Sequence, residues 1–142
     1  MQKTLSVVLH LVAIALLLLN GVGALYGGWQ LATDPTGSSM QMPLSYLEHS
    51  PFDTYLIPGI VLLMANGAGS LVVLGLMLAR SPYYPQGVIA EGFILGGWIS
   101  IQMLMLQTAN PLQLTFTTVA VLLIASGLGL WKLKKTAGSN RN

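Results

Sequence analysis

Four long apolar stretches, separated by short polar segments, dominate the pattern of the chain. The first lies within residues 5–31, and the others cover about residues 55–79, 87–106 and 112–133. A membrane-crossing helix needs about 20 mostly apolar residues, so each stretch predicts one such helix. From the start of the second stretch to Trp131, the only formal charges are Arg80 and Glu91. The pattern predicts an all-α fold: a transmembrane four-helix bundle in one domain over residues 1–135, followed by a disordered cytoplasmic tail over 136–142.

The first apolar stretch begins like a signal peptide, with Lys3 ahead of it and small residues at 21–24. The apolar core of a secretory signal is only about 7–15 residues long. Here the run continues past Tyr26 and Trp29, two aromatic side chains suited to a membrane interface. We therefore expect a retained membrane span rather than a cleaved signal.

The cations predict how the bundle is oriented. Lys3 precedes the first span, Arg80 follows the second, and the remaining cations follow the fourth: Lys132, Lys134, Lys135 and Arg141. The long loop over residues 32–54 has no Lys or Arg. Because cytoplasmic loops are enriched in Lys and Arg, we expect both termini in the cytoplasm and the long loop outside.

Turn and capping residues predict where helices begin. The sequence Ser-Pro-Phe-Asp at 50–53 predicts an N-cap followed by a proline at the first helical position, and Asn-Pro-Leu-Gln at 110–113 repeats this device. The Pro-Gly pair at 58–59 is expected to bend the second helix. Residues 34–37 predict a tight turn, and residues 43–49 one or two helical turns on the outer surface.

Composition excludes several classes of protein. Hydrophobic residues make up 54% of the chain and charged residues only 7%, with a mean hydropathy of +0.70. A soluble domain has about 25% charged residues, so a soluble protein is excluded. The net charge of +2 comes from a few terminal cations and does not indicate nucleic acid. Without cysteine there is no disulfide, thiolate nucleophile or cysteine-ligated metal.

Polar side chains within the spans are few and regularly spaced. Glu91, Trp98 and Gln102 share one face of the third span, and Asn66 and Ser70 share one face of the second. We expect these two stripes to face each other and to form hydrogen bonds across the bundle. The alternative is that they line a narrow polar cavity.

Glu91 is the most informative of these residues. It lies about four residues inside the predicted third span, roughly 6 Å deep on the cytoplasmic side. Carboxylates within a membrane are costly and tend to mark paths for ions or substrates. We favour a structural anchor in which Glu91 pairs with Arg80 or with His10. A proton-coupled site is the alternative.

Glycines recur at helical spacing in the spans. Gly23 and Gly27 stand four residues apart, as do Gly92 and Gly96, and Gly67 lies in the second span. Small residues at this spacing let membrane helices approach closely. We expect them to pack within the bundle, and the alternative is that one stripe mediates self-association.

Candidate metal ligands are concentrated in the outer loop. Asp34, Glu48, His49 and Asp53 carry oxygen and imidazole groups that bind divalent cations. Their spacing matches no metal motif, so we predict no metal site. A bis-histidine haem is also excluded, because His10 has no second histidine at matching depth. The sequence therefore predicts no cofactor and no catalytic residue.

Short motifs follow one another in a fixed order along most of the chain. They are the glycine pair at 27–28, DPTG at 34–37, Pro43-Leu44, SPF-x-x-YLIPG at 50–59, WI-x-x-Q at 98–102 and PLQ at 111–113. In this order they resemble a family of small, uncharacterised bacterial membrane proteins with four predicted helices. The resemblance implies this architecture and a bacterial source, and we therefore expect a multi-pass protein of a bacterial inner membrane. It implies no activity. The turn at Arg80 departs from the family, whose members tend to be richer in arginine there.

These features predict a non-enzymatic integral membrane protein. We expect an accessory or structural subunit of a bacterial membrane complex, in contact with the lipid bilayer and with other subunits or further copies of itself. Its ionisable groups are too few for most acid–base or nucleophilic catalysis. The alternative is a small homo-oligomeric transporter or channel that uses Glu91 as its coupling carboxylate. A membrane enzyme is the third class, disfavoured because the spans hold no buried arginine.

Overall fold

Four long helices make up most of the computed structural model, which describes residues 1–140. Helix α1 spans Gln2–Thr33, α2 Leu56–Leu78, α3 Tyr84–Leu106 and α4 Pro111–Ser139. Each helix is long and apolar enough to cross a membrane. The predicted all-α fold with four transmembrane helices is therefore confirmed, and the chain is a multi-pass membrane protein.

Large apolar side chains cover the outward faces of the helices. Leu11 on α1 is 63% exposed, Val72 on α2 63% and Leu104 on α3 69%. In water such faces would drive association, whereas the acyl chains of a bilayer solvate them. These faces are where the bundle contacts lipid.

The helices of each hairpin run antiparallel, as the contacts of four glycines show. A Cβ atom on Gly28 of α1 would lie 2.6 Å from the backbone nitrogen of Leu63 in α2, and a Cβ on Gly21, earlier in α1, would lie 3.1 Å from Cβ of Ser70, later in α2. In the hairpin of α3 and α4, a Cβ atom on Gly92 would lie 2.6 Å from the Ile124 side chain. A Cβ on Gly127 would lie 2.6 Å from the Ile89 side chain. Both chain termini and the α2–α3 turn therefore lie at one end of the bundle, called here the terminal end. The long loop and the α3–α4 turn lie at the other, the loop end.

The glycines singled out in the sequence pack within the chain to different degrees. A Cβ on Gly67 would lie 2.9 Å from the Leu25 side chain, and Gly92 is equally crowded. Gly23, Gly27 and Gly96 leave room for an ordinary contact, because a Cβ there would lie 3.6–3.8 Å from its nearest neighbour. Internal packing thus accounts for Gly67 and Gly92.

Helix α2 contains one π-helical turn, Leu62–Ala68, between the α-helical segments Leu56–Val61 and Gly69–Leu78. This irregularity begins four residues after Pro58, at which the sequence predicts a bend. Pro58 fits within the first helical turn because the N–H that it lacks has no partner inside the helix there. The π turn places Asn66 in the interior of the bundle, where it is fully buried.

The predicted N-cap of α2 at Ser50 is wrong, since the helix begins at Leu56. The Ser50 hydroxyl instead donates to the Leu47 carbonyl oxygen (2.8 Å) and accepts from the Phe52 backbone N–H (3.2 Å). These bonds hold a turn inside the loop. The Ser-Pro pair therefore forms a loop turn here. A serine hydroxyl can accept a backbone N–H in a turn as well as at a helix N-cap, so the sequence alone does not distinguish the two.

Both ends of α4 are defined by specific contacts. At its start the predicted cap is confirmed: Asn110 Oδ1 accepts from the Gln113 N–H, and the Asn110 N–H donates to Gln113 Oε1, both at 3.1 Å. At its end the helix continues through Ser139, which corrects the predicted tail for residues 136–139. Near this end, Lys134 Nζ donates to the Pro82 carbonyl oxygen over 2.8 Å and so connects the helix to the α2–α3 turn. Residues 141–142, including Arg141, lie outside the described part of the chain.

The loop between α1 and α2 folds over the loop end. The predicted turn at 34–37 is present, with the Gly37 N–H 3.0 Å from the Asp34 carbonyl oxygen and Gly37 at a positive φ of 76°. Two short 3-10 helices follow, Ser38–Met40 and Leu44–Leu47, and the second confirms the helical turn predicted within 43–49. The loop is therefore ordered by its own hydrogen bonds.

Tyr55 fastens this loop to the bundle. Its side chain is 3% exposed, and its hydroxyl donates to the Pro43 carbonyl oxygen over 2.8 Å. Its backbone N–H donates to the Pro35 carbonyl oxygen over 2.9 Å. Leu31 and Leu47 form a small apolar core with Tyr55, so the loop closes the loop end as a packed layer.

Candidate functional site

Three polar side chains meet in the interior of the bundle, and we call them the polar cluster. They are Asn20 from α1, Ser70 from α2 and Glu91 from α3, each at most 1% exposed. Asn20 Nδ2 donates to Ser70 Oγ over 2.9 Å and to Glu91 Oε1 over 3.2 Å. Ser70 Oγ also donates to Glu91 Oε1 over 2.9 Å. One carboxyl oxygen thus joins three of the four helices.

Two glycines give these short side chains the room to meet. A Cβ on Gly21 would lie 3.1 Å from Ser70 Cβ, and a Cβ on Gly69 would lie 2.8 Å from Glu91 Oε2. A Cβ at Gly21 would require its neighbour to shift by a few tenths of an ångström, and a Cβ at Gly69 would displace the Glu91 carboxyl group. Close packing at these glycines therefore determines the geometry of the polar cluster.

The expectation that Glu91 pairs with Arg80 or His10 is wrong. Glu91 lies seven residues after the start of α3, and at 1.5 Å per residue it is about 10 Å along the helix. Arg80 lies in the exposed α2–α3 turn. His10 Nδ1 lies 2.7 Å from the Ser6 carbonyl oxygen, and its ring lies 5.3 Å from that of Tyr84. Glu91 lies deeper in the bundle than Arg80 and His10, and it bonds to Asn20 and Ser70 instead.

Asn20 is not among the residues predicted from the sequence, although the sequence contains a signal for it. Asn20 is a lone carboxamide in the apolar core of α1, and such a group seeks a partner inside the bundle. The two predicted polar stripes involve only α2 and α3, and of their possible contacts the Ser70–Glu91 hydrogen bond is confirmed. The cluster needs a third helix, which periodicity within one helix does not identify.

In the part of the chain that the structure describes, the other members of the predicted stripes form no hydrogen bond across the bundle. Within residues 1–140, neither polar atom of the fully buried Asn66 side chain has a hydrogen-bond partner. The indole nitrogen of Trp98 is buried and also without a partner in this part of the chain. Gln102 is half-buried on the wall of a cavity. This cavity, rather than a continuous hydrogen-bond ladder, lies next to the stripes.

The cavity has a volume of about 400 Å³ and occupies the loop-end half of the bundle. It forms because the loop-end segment Leu56–Val61 of α2 packs on α1, while α3 packs on α2 mainly from the π turn onward. Asn20 and Leu95 are the wall residues farthest from the loop end. Most of the wall is apolar and includes Ala24, Leu31, Pro58, Leu62, Leu95, Ile99, Met105, Leu106, Leu112 and Phe116.

The loop supplies part of this wall. Met40, Met42, Tyr46 and Leu47 all line the cavity. Met40 and Met42 also pack against the small apolar core of the loop, as does Met105 from α3. Methionine side chains are unbranched and adapt to irregular shapes. The loop side of the cavity can therefore adjust to the outline of a bound molecule.

Two buried N–H donors belong to side chains of the cavity wall. The Trp98 side chain is 8% exposed and Gln113 is 3% exposed, and both line the cavity. In the described chain neither Trp98 Nε1 nor Gln113 Nε2 has a hydrogen-bond partner. Both nitrogens lie beneath the surface of the wall, so neither N–H opens into the cavity.

The outer-loop residues considered as metal ligands do not come together. Asp34 accepts hydrogen bonds from the Thr36 hydroxyl (2.6 Å) and the Ser39 backbone N–H (2.8 Å), which hold the pKa of its carboxyl below its ordinary value. The remaining three are exposed: Glu48, His49 and Asp53. In residues 1–140 no group of three His, Asp or Glu side chains is placed to hold a metal ion.

No protein-family model, curated protein or solved structure matches this chain. The family resemblance of its short motifs therefore stays a prediction. The fold and the site define a four-helix, multi-pass membrane protein with an apolar cavity beside a buried polar cluster.

Proposed function

We propose that this chain is a non-enzymatic accessory protein of a bacterial inner membrane that binds a small, mostly apolar molecule in the cavity of its bundle. The cavity is the observation that carries this proposal. Its volume of about 400 Å³ lies within the roughly 300–1,000 Å³ of small-molecule sites. Like such sites, it combines apolar walls with a few polar groups.

The chemistry beside the cavity supports binding more than catalysis. Glu91 is the one carboxyl of the polar cluster, and it bonds to Asn20 and Ser70, which do not titrate in water. His10 lies toward the terminal end, and His49 is exposed on the loop. Acid–base catalysis needs a positioned pair of titratable groups. A role in holding a molecule fits these residues better.

The distribution of Lys and Arg indicates on which side of the membrane the proposed binding cavity lies. With both termini in the cytoplasm, the loop end faces outward, and the cavity lies in the outer half of the membrane. A molecule that reaches it would come from the outer leaflet or from the outer aqueous phase. An accessory protein in this position would present its molecule to a neighbouring membrane protein at the outer surface.

One observation favours transport as a second candidate function. Asn20 belongs both to the cavity wall and to the polar cluster, so a bound molecule would lie one hydrogen-bonded residue away from Glu91. Intramembrane carboxylates tend to mark ion paths. A coupled transporter would lose flux in a Glu91→Gln variant, whereas a binding protein would keep its bound molecule.

The binding proposal is tested by filling the cavity. Gly27→Leu and Gly23→Leu add bulk at two wall positions, and Gly97→Leu is the matched control because no atom lies within 4 Å of a Cβ there. Organic extracts of the purified proteins would be compared by liquid chromatography and mass spectrometry. We expect one molecule in near-stoichiometric amount in the wild type and the control, and its loss from both cavity variants. Identical extracts from all four proteins would contradict the proposal.

A further inference from the structure

The wall of the cavity is not equally enclosed on all sides. Its exposed residues come from α1, the loop and the start of α4: Gly23, Tyr46, Asn110 and Leu112. Within residues 1–140, the wall residues supplied by α2 and α3 are buried or half-buried. The cavity therefore opens sideways between α1 and α4, with the loop at one edge of the opening.

The spacing of α1 and α4 agrees with an opening at this place. Toward the terminal end the two helices pack closely, since a Cβ on Gly129 would lie 2.7 Å from Leu9 Cδ1. In the described chain, a Cβ on Gly23 would have one neighbour within 4 Å, Phe116 Cζ at 3.8 Å. One turn further along α1, a Cβ on Gly27 would have no described atom of α4 within 4 Å. The two helices therefore separate beyond Phe116.

The opening begins at the depth of the hydrocarbon chains. Gly23 is ten residues before the end of α1 at Thr33, which is about 15 Å along the helix. The headgroup layer on each side of a bilayer is only about 5–8 Å deep. Tyr26 and Trp29 are exposed on α1 between Gly23 and this end, as expected for side chains at a membrane interface. The part of the opening at Gly23 therefore faces acyl chains.

The chemistry of the wall follows the same division. In the described chain, no Asp, Glu, Lys, Arg or His side chain lines the cavity. A charged group would lose its hydration there without a counter-charge, which is strongly unfavourable. The two polar residues among the exposed wall residues, Tyr46 and Asn110, lie at the loop-end rim. The opening is thus apolar at the depth of acyl chains and polar at the level of headgroups, as a membrane lipid is.

We infer that the cavity takes one acyl chain of a membrane lipid, which enters sideways between α1 and α4 while the headgroup stays at the loop-end rim, an inference that rests on the proposed binding function. A chain that moves from the bilayer into an apolar cavity exposes no apolar surface to water. The unbranched side chains of Met40 and Met42 adapt to the shape of a flexible chain on the loop side.

Trp98 provides a reporter for a chain inside the cavity. Its side chain lines the cavity and is 8% exposed, whereas the other two tryptophans, Trp29 and Trp131, are exposed. Trp29→Phe together with Trp131→Phe leaves Trp98 as the only tryptophan. This parent protein would be reconstituted in liposomes of dioleoylphosphatidylcholine or of the same lipid brominated on its acyl chains. Bromine quenches tryptophan fluorescence only at short range, so a chain in the cavity would quench Trp98.

Variants of the parent protein separate a chain inside the cavity from lipid around the bundle. Gly23→Leu and Gly27→Leu add bulk to the wall, and any quenching that remains in them comes from lipid outside. Gly75→Leu is the matched control, because no atom lies within 4 Å of a Cβ there. We expect brominated lipid to quench Trp98 in the parent and in Gly75→Leu, and both cavity variants to lose this quenching down to the background from outside lipid.

The outcomes separate this inference from the proposed function. Equal quenching of Trp98 in the parent, Gly23→Leu and Gly27→Leu would overturn the acyl-chain inference. The proposed function would still stand if the organic extract of the wild type contained a bound molecule that both cavity variants lack. Equal quenching together with identical extracts would overturn both. Should Gly27→Leu fail to fold, Gly23→Leu alone decides, since Gly23 is exposed and less crowded.

Discussion

Ser70 on α2 donates a hydrogen bond to Glu91 on α3 over 2.9 Å, and Asn20 on α1 donates to the same carboxyl oxygen. These bonds connect three consecutive helices, and the bond from Asn20 joins α1 to α3, which are not neighbours in sequence. They also leave Glu91 with neutral hydrogen-bond partners in the low-dielectric interior of the bundle. The cluster is therefore held by hydrogen bonds, whose worth between membrane helices is modest, about 1 kcal/mol each.

Removing the Ser70 hydroxyl should destabilise the bundle. Ser70→Ala deletes a donor to Glu91 and an acceptor for Asn20, so we expect the free energy of unfolding in detergent to fall by about 1–2 kcal/mol. Ser100→Ala is the control, because the exposed Ser100 hydroxyl, among residues 1–140, donates only to the Gly96 carbonyl of its own helix. An equal fall in the free energy of unfolding in both variants would mean that the hydrogen bonds of the polar cluster add no stability.

Two substitutions of Glu91 separate an anchor from a coupling carboxylate. Glu91→Gln keeps the shape and the acceptor oxygen, so the fold should lose less than about 1 kcal/mol. Glu91→Leu leaves the Asn20 amide and the Ser70 hydroxyl without this acceptor, and we expect a loss of about 2–3 kcal/mol. Unfolding in detergent measures both.

The same Glu91→Gln protein distinguishes the two candidate functions. Reconstituted in liposomes with a pH-sensitive dye inside, the wild type and the variant should show the same proton leak if Glu91 is an anchor. A proton flux in the wild type that disappears in Glu91→Gln would instead establish the transport alternative.

The close approach of α1 and α2 depends on Gly28. A Cβ there would lie 2.6 Å from the Leu63 backbone nitrogen and 2.8 Å from the Gly59 carbonyl oxygen, and backbone atoms cannot move aside alone. We expect Gly28→Ala to destabilise the protein by about 1–3 kcal/mol. Gly97→Ala has open space around its Cβ, so it should be neutral or slightly stabilising through helix propensity. Equal unfolding midpoints for Gly28→Ala and Gly97→Ala would contradict the close packing at Gly28.

The sequence predicts the helices of this protein better than it predicts the cavity and the contacts between the helices. Length and apolarity are local properties, so four spans and the cap at Asn110 follow from the chain alone. The register of α2 on α3 also follows in part, because Ser70 and Glu91 lie on predicted polar faces. The cavity depends on how the helices diverge toward the loop end, and no single helix encodes that divergence. Asn20 joins the site for the same reason, through a neighbour from another helix.

The first turn of the long loop should loosen in acid. Hydrogen bonds from Thr36 and from the Ser39 N–H lower the pKa of Asp34 below 3.8, so their contribution is complete above that pH and is lost as the pH falls through the lowered pKa. Hydrogen exchange should show a protection factor for the Ser39 amide that falls below about pH 4. In Asp34→Asn, which does not titrate, protection should not change with pH. A wild type that behaves like this variant would contradict the role of Asp34.

Cysteine accessibility tests the proposed orientation, and the absence of native cysteine makes the test clean. Ser45 lies exposed in the long loop, and Ser139 lies exposed at the end of α4. With the loop outside, a membrane-impermeant maleimide added to intact spheroplasts should label Ser45→Cys and should label Ser139→Cys only after lysis. The reverse pattern would place the loop end, and the cavity with it, on the cytoplasmic side. The molecule held in the cavity would then come from inside the cell, and extracts of the inner leaflet rather than the outer would be the place to seek it.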